Sequence, residues 1–136
     1  MIRSLHLSSQ ALEQVSRIKR HTGLKTNNVI CRWALCISLA EKSCPAKQVF
    51  EFDSTGRGEI AWETFSGEYG AVYISLLKQR CLEDGLEPNE DNLRDQFMLH
   101  VHRGLGYLLG NGTAASIEQL ASAAINASSS ERHSVV

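Results

Sequence analysis

The side chains best placed to do chemistry stand in one run, "RIKRHTGLKTNN". Arg17, Lys19, Arg20 and Lys25 gather around the break at Thr22-Gly23, and Arg32 follows roughly two turns into the next segment. Such a cluster holds anions. A helix N-terminus exposes unpaired N–H groups and the positive end of its dipole, and a phosphate oxygen satisfies both. Lys25 immediately precedes an expected helix start at Thr26 or Asn27, while Arg17, Lys19 and Arg20 arrive on the last turn of the helix before it. Gly23 supplies the freedom a helix C-terminus uses and lets a bulky backbone approach closely. Arg32 faces the same anion or pairs with an acidic residue. The plainer alternative is that Lys and Arg in a last turn stabilise that turn through its dipole, with no ligand.

The other reactive residues form no site. His100 and His102 are two positions apart, about 200° around a helix, so they cannot chelate one ion together. His100 fits an apolar stripe and reads as a satisfied core histidine, whereas His102 and Arg103 read as more exposed. His6 and His21 lie near the basic corner. Cys31, Cys36, Cys44 and Cys81 show no zinc-type spacing, and an apolar run around Cys31 and Cys36 suggests buried structural thiols. Glu83, Asp84, Glu87, Glu90 and Asp91 cluster at a turn between helices, where acids suit a helix N-terminus. Nucleophile triads, metalloprotease motifs, Walker loops and paired-carboxylate patterns are missing, so no enzyme activity, cofactor or metal is expected.

Charge is distributed unevenly. The 136 residues carry a net −1, yet residues 1–47 hold eight Lys and Arg against two Glu, a net +6, and the remainder a net −7. A basic half of this kind suits a polyanion, or an acidic protein surface. No run of about 18 apolar residues is present, so no membrane span is expected. The segment "MIRSLHLSSQ" lacks a signal-peptide core, and the expected compartment is the cytoplasm.

These side chains need elements to position them. "IRSLHL" alternates with period two and reads as a short strand. Ser8 or Ser9 caps a helix carrying Ala11, Leu12, Val15 and Ile18 and ending near His21. Thr26 caps a second helix, "NNVICRWALCISLAEK", apolar nearly all round and stopped by Pro45. "QVFEFDSTGRGEIAWETF" reads as two β-prone pieces around a turn, either a hairpin or an irregular extended excursion. Its GxG lacks the strand and helix a nucleotide loop requires. "GEYGAVYISLLKQRCLEDG" reads as a third helix with Val72, Leu76, Leu77 and Cys81 inward. "NEDNLRDQFMLHVHRGLGYLLG" reads as a fourth, inward at Leu93, Phe97, His100, Val101 and Leu108. A short fifth helix, "SIEQLASAAI", precedes a polar tail. The expected fold is mainly α: one domain over residues 1–126, with a basic strand-helix-helix part at 1–44 of ribbon-helix-helix outline, an acidic helical part at 45–126, and a flexible tail at 127–136.

Four stretches carry a family resemblance: "RIKRHTGLKTNNVICRWALCISL", "FEFDSTGRGEIAWETFSGEYGAVYISLLKQR", "LHVHRGLGYLL" and "SIEQLA". In this order, over most of the chain, they resemble the DndE family of the bacterial DNA phosphorothioation (DNA sulfur modification) system. The resemblance implies a helical homotetramer that binds duplex DNA, preferring a nick, and that associates with other Dnd modification proteins, which hold the catalytic chemistry. It also implies that DNA contacts fall on basic surface residues and the loop at the Thr-Gly break, here Arg17, Lys19, Arg20, Gly23 and Lys25. Many relatives carry Thr-Pro before the second helix. This chain has Thr26-Asn27, which loosens that start slightly.

Two other readings use the same residues. A sequence-specific regulator of ribbon-helix-helix type would pair its N-terminal strand across a dimer and read bases through Ser4 and His6, with Arg3 near the end, thin equipment for the task. A protein-only adaptor would dock the basic face on an acidic partner and never meet DNA.

Overall fold

The computed structural model describes residues 1–110. The expected fifth helix and tail lie outside the described residues. In chain order the elements are β1 (Ser4–His6), α1 (Ser9–Thr22), α2 (Asn27–Ala40), β2 (Glu59–Ala61), α3 (Trp62–Ser66), a single 3₁₀ turn (Gly67–Tyr69), α4 (Gly70–Glu83) and α5 (Glu90–Gly110). The chain is mainly helical with one two-stranded sheet, as its periodicities predict.

β1 and β2 run antiparallel, with Leu5 opposite Ile60. Leu5 and Leu7 are buried, and so is Ile2 just before the strand. The two extended pieces around "DSTGRG" do not pair as a hairpin: only the second becomes a strand, and its partner is β1. The irregular alternative therefore holds. "WETFS", expected to be extended, is helical. Burial decides this, because α3 places Trp62 and Phe65 against Phe97, with ring centroids 5.3 and 4.9 Å away. A fully buried Phe contributes about 1.5–3 kcal/mol, more than a weak local preference for strand opposes.

α1 starts where Ser8 Oγ accepts the Ala11 N–H at 3.0 Å. It ends at Gly23, whose φ of 74° lets its N–H reach the Lys19 carbonyl. Ala11, Val15 and Ile18 face the core. Among the described residues, α2 and α5 make the most extensive contact between elements. They cross at Gly104, where a Cβ would stand 1.8 Å from the Ala34 carbonyl oxygen. Leu93, Phe97, His100, Val101 and Leu108 of α5 all point inward as the sequence predicts.

Some positions turn out differently. Val72 and Leu76 of α4 are exposed, 54% and 46%. α4 has apolar residues on two sides, and Leu77 and Cys81 face the core with Tyr73 and Ile74 half-buried beside them. His102, expected to be exposed, is buried because the 45–52 segment folds over it and stacks Phe50 on its ring at 4.1 Å. Among the cysteines only Cys31 and Cys81 are buried, while Cys36 and Cys44 stand at the surface. α2 is apolar all round, but the rest of the fold covers only part of it.

Candidate nucleic-acid interface

The α1–α2 corner assembles most of the predicted cluster. Arg17, Arg20 and Lys25 are exposed and Lys19 is half-buried. On α1, Arg17 and Arg20 lie about 60° apart, while Lys19 is about 100° from Arg20 and about 160° from Arg17. The cluster therefore wraps the end of the helix instead of forming a single stripe. Lys19 points towards the start of α2 and, together with Asn27, lines a cleft of about 390 Å³. Burial pushes the nearby Cys31 thiol up to about 12, against the lowering influence of the Lys19 charge. That thiol is a packing group.

The start of α2 leaves hydrogen-bonding capacity unused. Thr26 has the extended backbone of an N-cap (φ −113°, ψ 133°), but its side chain makes no cap hydrogen bond. No acidic residue occupies the first turn. Asn27 Oδ1 is buried and has no hydrogen-bond partner among the described residues. Asn28 is committed elsewhere, donating to the Thr64 carbonyl at 3.2 Å. First-turn N–H groups without a side-chain acceptor, beside Lys25 and Lys19, are suited to an anion.

Gly23 serves this corner through its backbone angle. Nothing lies within 4 Å of a Cβ built there, so the left-handed φ, and not crowding, calls for glycine. The structure separates Arg32 from the rest of the cluster. Its guanidinium donates to the carbonyls of Phe65 (2.5 Å) and Thr64 (3.1 Å) and ties α2 to α3.

The opposite wall of the cleft is one the sequence did not announce. Asp53 and Arg57, from the loop between α2 and β2, face Lys19 and Asn27 across it. Asp53 Oδ1 accepts from the Thr55 N–H (2.9 Å) and hydroxyl (2.8 Å), and its Oδ2 from Arg57 (2.7 Å). The Arg57 hydrogen bond first, then those from Thr55, hold the Asp53 carboxyl down at about 2. Arg57 lies more than thirty positions from Lys19 in sequence, so no local pattern could have joined them.

Two further arginines are structural: Arg80, which the sequence reading did not single out, and Arg103, which it expected at the surface. Buried Arg80 donates to the carbonyls of Leu39, Glu41 and Ser43 and to Asp84. Arg103 reaches the Ser38 carbonyl (2.7 Å) and hydroxyl (2.8 Å) and the Ser43 carbonyl (2.8 Å). Together they satisfy the carbonyl groups that the end of α2 leaves open. Among the described residues, no three His, Cys, Asp or Glu side chains gather as a metal site. None of their helices is long and apolar enough to cross a membrane.

No curated protein matches the chain significantly. The family model described as "DNA sulphur modification protein DndE" matches residues 4–116, most of the chain. Its helical architecture and its Thr-Gly corner thus have a family context, one that supports a role in DNA sulfur modification: the chain belongs to the DndE family.

Proposed function

We propose that this chain is a non-catalytic, DNA-binding component of the DNA sulfur modification system, gripping duplex phosphate at the α1–α2 corner with preference for nicked duplex. The observation that carries the reading is the grouping of Arg17, Lys19, Arg20 and Lys25 at a helix start with no side-chain cap. Contacts of this type follow the backbone and carry no base code. Nick preference follows where binding bends the duplex, because a strand break lowers the cost of bending. The exposed apolar stripe of Val72 and Leu76 on α4, with Tyr69 in the turn before it, suits contact between subunits of a homotetramer, and the other Dnd proteins would supply the catalysis. The proposed compartment is the cytoplasm, where the DNA lies.

The regulator reading loses support from β1. That strand hydrogen-bonds to β2 of its own chain, and the Ser8 N–H just beyond it donates to His102 Nε2 at 3.1 Å. Pairing across a dimer would need an edge these contacts restrict. The adaptor reading makes the opposite prediction about DNA. Fluorescence anisotropy with nicked and intact duplexes of one sequence tests the proposal. Tighter binding to the nicked duplex supports it, and no detectable binding at low salt moves the basic face to a protein partner.

A further inference from the structure

β1 has two edges, and β2 uses one of them. The Leu7 N–H donates to the Gly58 carbonyl and the Trp62 N–H to the Arg3 carbonyl, so Arg3, Leu5 and Leu7 turn their backbone groups towards β2. Ser4 stands opposite Ala61 and His6 opposite Glu59, and their N–H and C=O groups point the other way. Among the described residues those groups have no hydrogen-bond partner. The open edge faces α5. The Ser8 N–H, next along it, donates to His102 Nε2 at 3.1 Å and closes the edge beyond His6. Before that tie, strand and helix stand around a cleft of about 440 Å³. Ile2, Phe52, Phe97 and Met98 form its apolar walls, and Ser4, His6 and Arg94 line the rest. Phe52 remains 52% exposed, so part of this apolar lining is left in water.

Charge at the cleft has one sign. Among the described residues no carboxylate lines it. Its Arg94 is paired with Asp91 across side chains 54% and 83% exposed. Exposed pairs of this kind contribute little, so the guanidinium can turn to an incoming carboxylate. An unpaired strand edge beside such a cleft suits an extended peptide, which adds main-chain hydrogen bonds and places alternate side chains in pockets. Side chains two positions apart share one face of a strand. An added strand therefore sets an apolar side chain in the cleft and a carboxylate, two positions on, at Arg94. A small apolar acid would leave the Ser4 and His6 backbone groups unpaired. The β1 of a second copy, within "IRSLHL", brings no carboxylate.

We propose that the open edge of β1 and the cleft beside it form a docking site, where an extended apolar-acidic segment of a partner protein adds as a third strand. The cleft shares no lining residue with the one at Lys19, so the site stands apart from the duplex-binding reading. The test uses the full chain and an end-capped peptide, TVTFTET, followed by amide NMR. The peptide binds with a dissociation constant of about 1 mM or tighter, shifts the Ser4 and His6 amide signals and slows their exchange. Ser4→Pro removes an outward N–H without touching the ladder to β2 and weakens binding about tenfold, whereas Ser4→Ala binds as wild type. Phe52→Ala weakens it about tenfold, and Arg94→Glu about fivefold. N-methylation of the peptide's Val, Phe and Glu, whose N–H groups would face β1, abolishes binding, while N-methylation of its threonines does not. The site is overturned if the Ser4 and His6 signals stay unmoved, if both methylated peptides behave alike, or if Ser4→Pro and Phe52→Ala bind as wild type. Slow exchange at Ser4 and His6 before any peptide is added also overturns it. If independent of protein concentration, that result places the chain's own residues beyond 110 on the edge; if concentration-dependent, a second copy.

Discussion

His100 and His102 sit two positions apart on α5, both buried, and both held neutral. His102 donates its Nδ1 proton to the Met98 carbonyl (2.7 Å), which leaves Nε2 to accept the Ser8 N–H. His100 Nδ1 meets the Ser38 hydroxyl at 2.8 Å, and its Nε2 is buried without a partner among the described residues. Burial first, then the Arg103 and Arg80 charges, bring His100 down from 6.5 to about 4. Burial also lowers His102. Both folded values lie below the unfolded one, so stability is full above the unfolded value and falls as the pH drops towards the folded values. Unfolding near pH 5 should take up about one proton fewer in His100→Gln than in wild type, and equal uptake in the two would contradict this. Arg80 makes a second residue-scale prediction. With Arg80→Met, Asp84 stays buried without its partner and the Leu39 and Glu41 carbonyls lose their donor, while the Ser43 carbonyl keeps Arg103; the loss costs roughly 3–5 kcal/mol. Chemical denaturation measures that loss, and a change below about 1 kcal/mol would show that the network is replaceable.

At the scale of elements, the helices were legible and the contacts between them were not. The period of Ala11, Val15 and Ile18, with the Ser8 cap and the Gly23 stop, specifies α1 almost completely. α3 was hidden because Trp62 and Phe65 favour strand locally, and their helix forms through packing on Phe97 and through Arg32 at its carbonyls. α4 shows a different limit. Two apolar sides compete for the core, and only the folded partners choose between them, leaving Val72 and Leu76 outside. The basic corner was readable because its residues are close in sequence. Arg32 was misjudged, and the Asp53–Arg57 wall missed, because their partners are distant. The α2–α5 crossing yields a prediction: Gly104→Ala places a methyl group on the Ala34 carbonyl. The helices must separate, at a cost of at least about 1–3 kcal/mol, and an unchanged melting temperature would refute that close approach. Gly23→Ala acts through backbone angle alone and should cost about 1–2 kcal/mol.

For the whole molecule, the sequence divides into a basic part and an acidic remainder, a net +6 and −7. The fold groups four of the eight basic residues of the first part, Arg17, Lys19, Arg20 and Lys25, on α1 and the turn after it. The proposed homotetramer would present that corner four times to one duplex, raising avidity without new contacts. Introducing Val72→Glu and Leu76→Glu on the exposed α4 stripe should shift the assembly to smaller species by light scattering while the helical signal persists. Unchanged mass would place the subunit contact elsewhere. The central claim is that the α1–α2 corner neutralises backbone phosphate. Its most direct test is the salt dependence of affinity for one duplex, comparing wild type with Lys19→Glu, Arg20→Glu, Lys25→Glu combined, at matched oligomeric state. The account predicts wild-type affinity falling steeply with salt, and a slope of log affinity against log salt shallower by roughly three in the variant. Parallel slopes and equal affinities would show that DNA is gripped somewhere else.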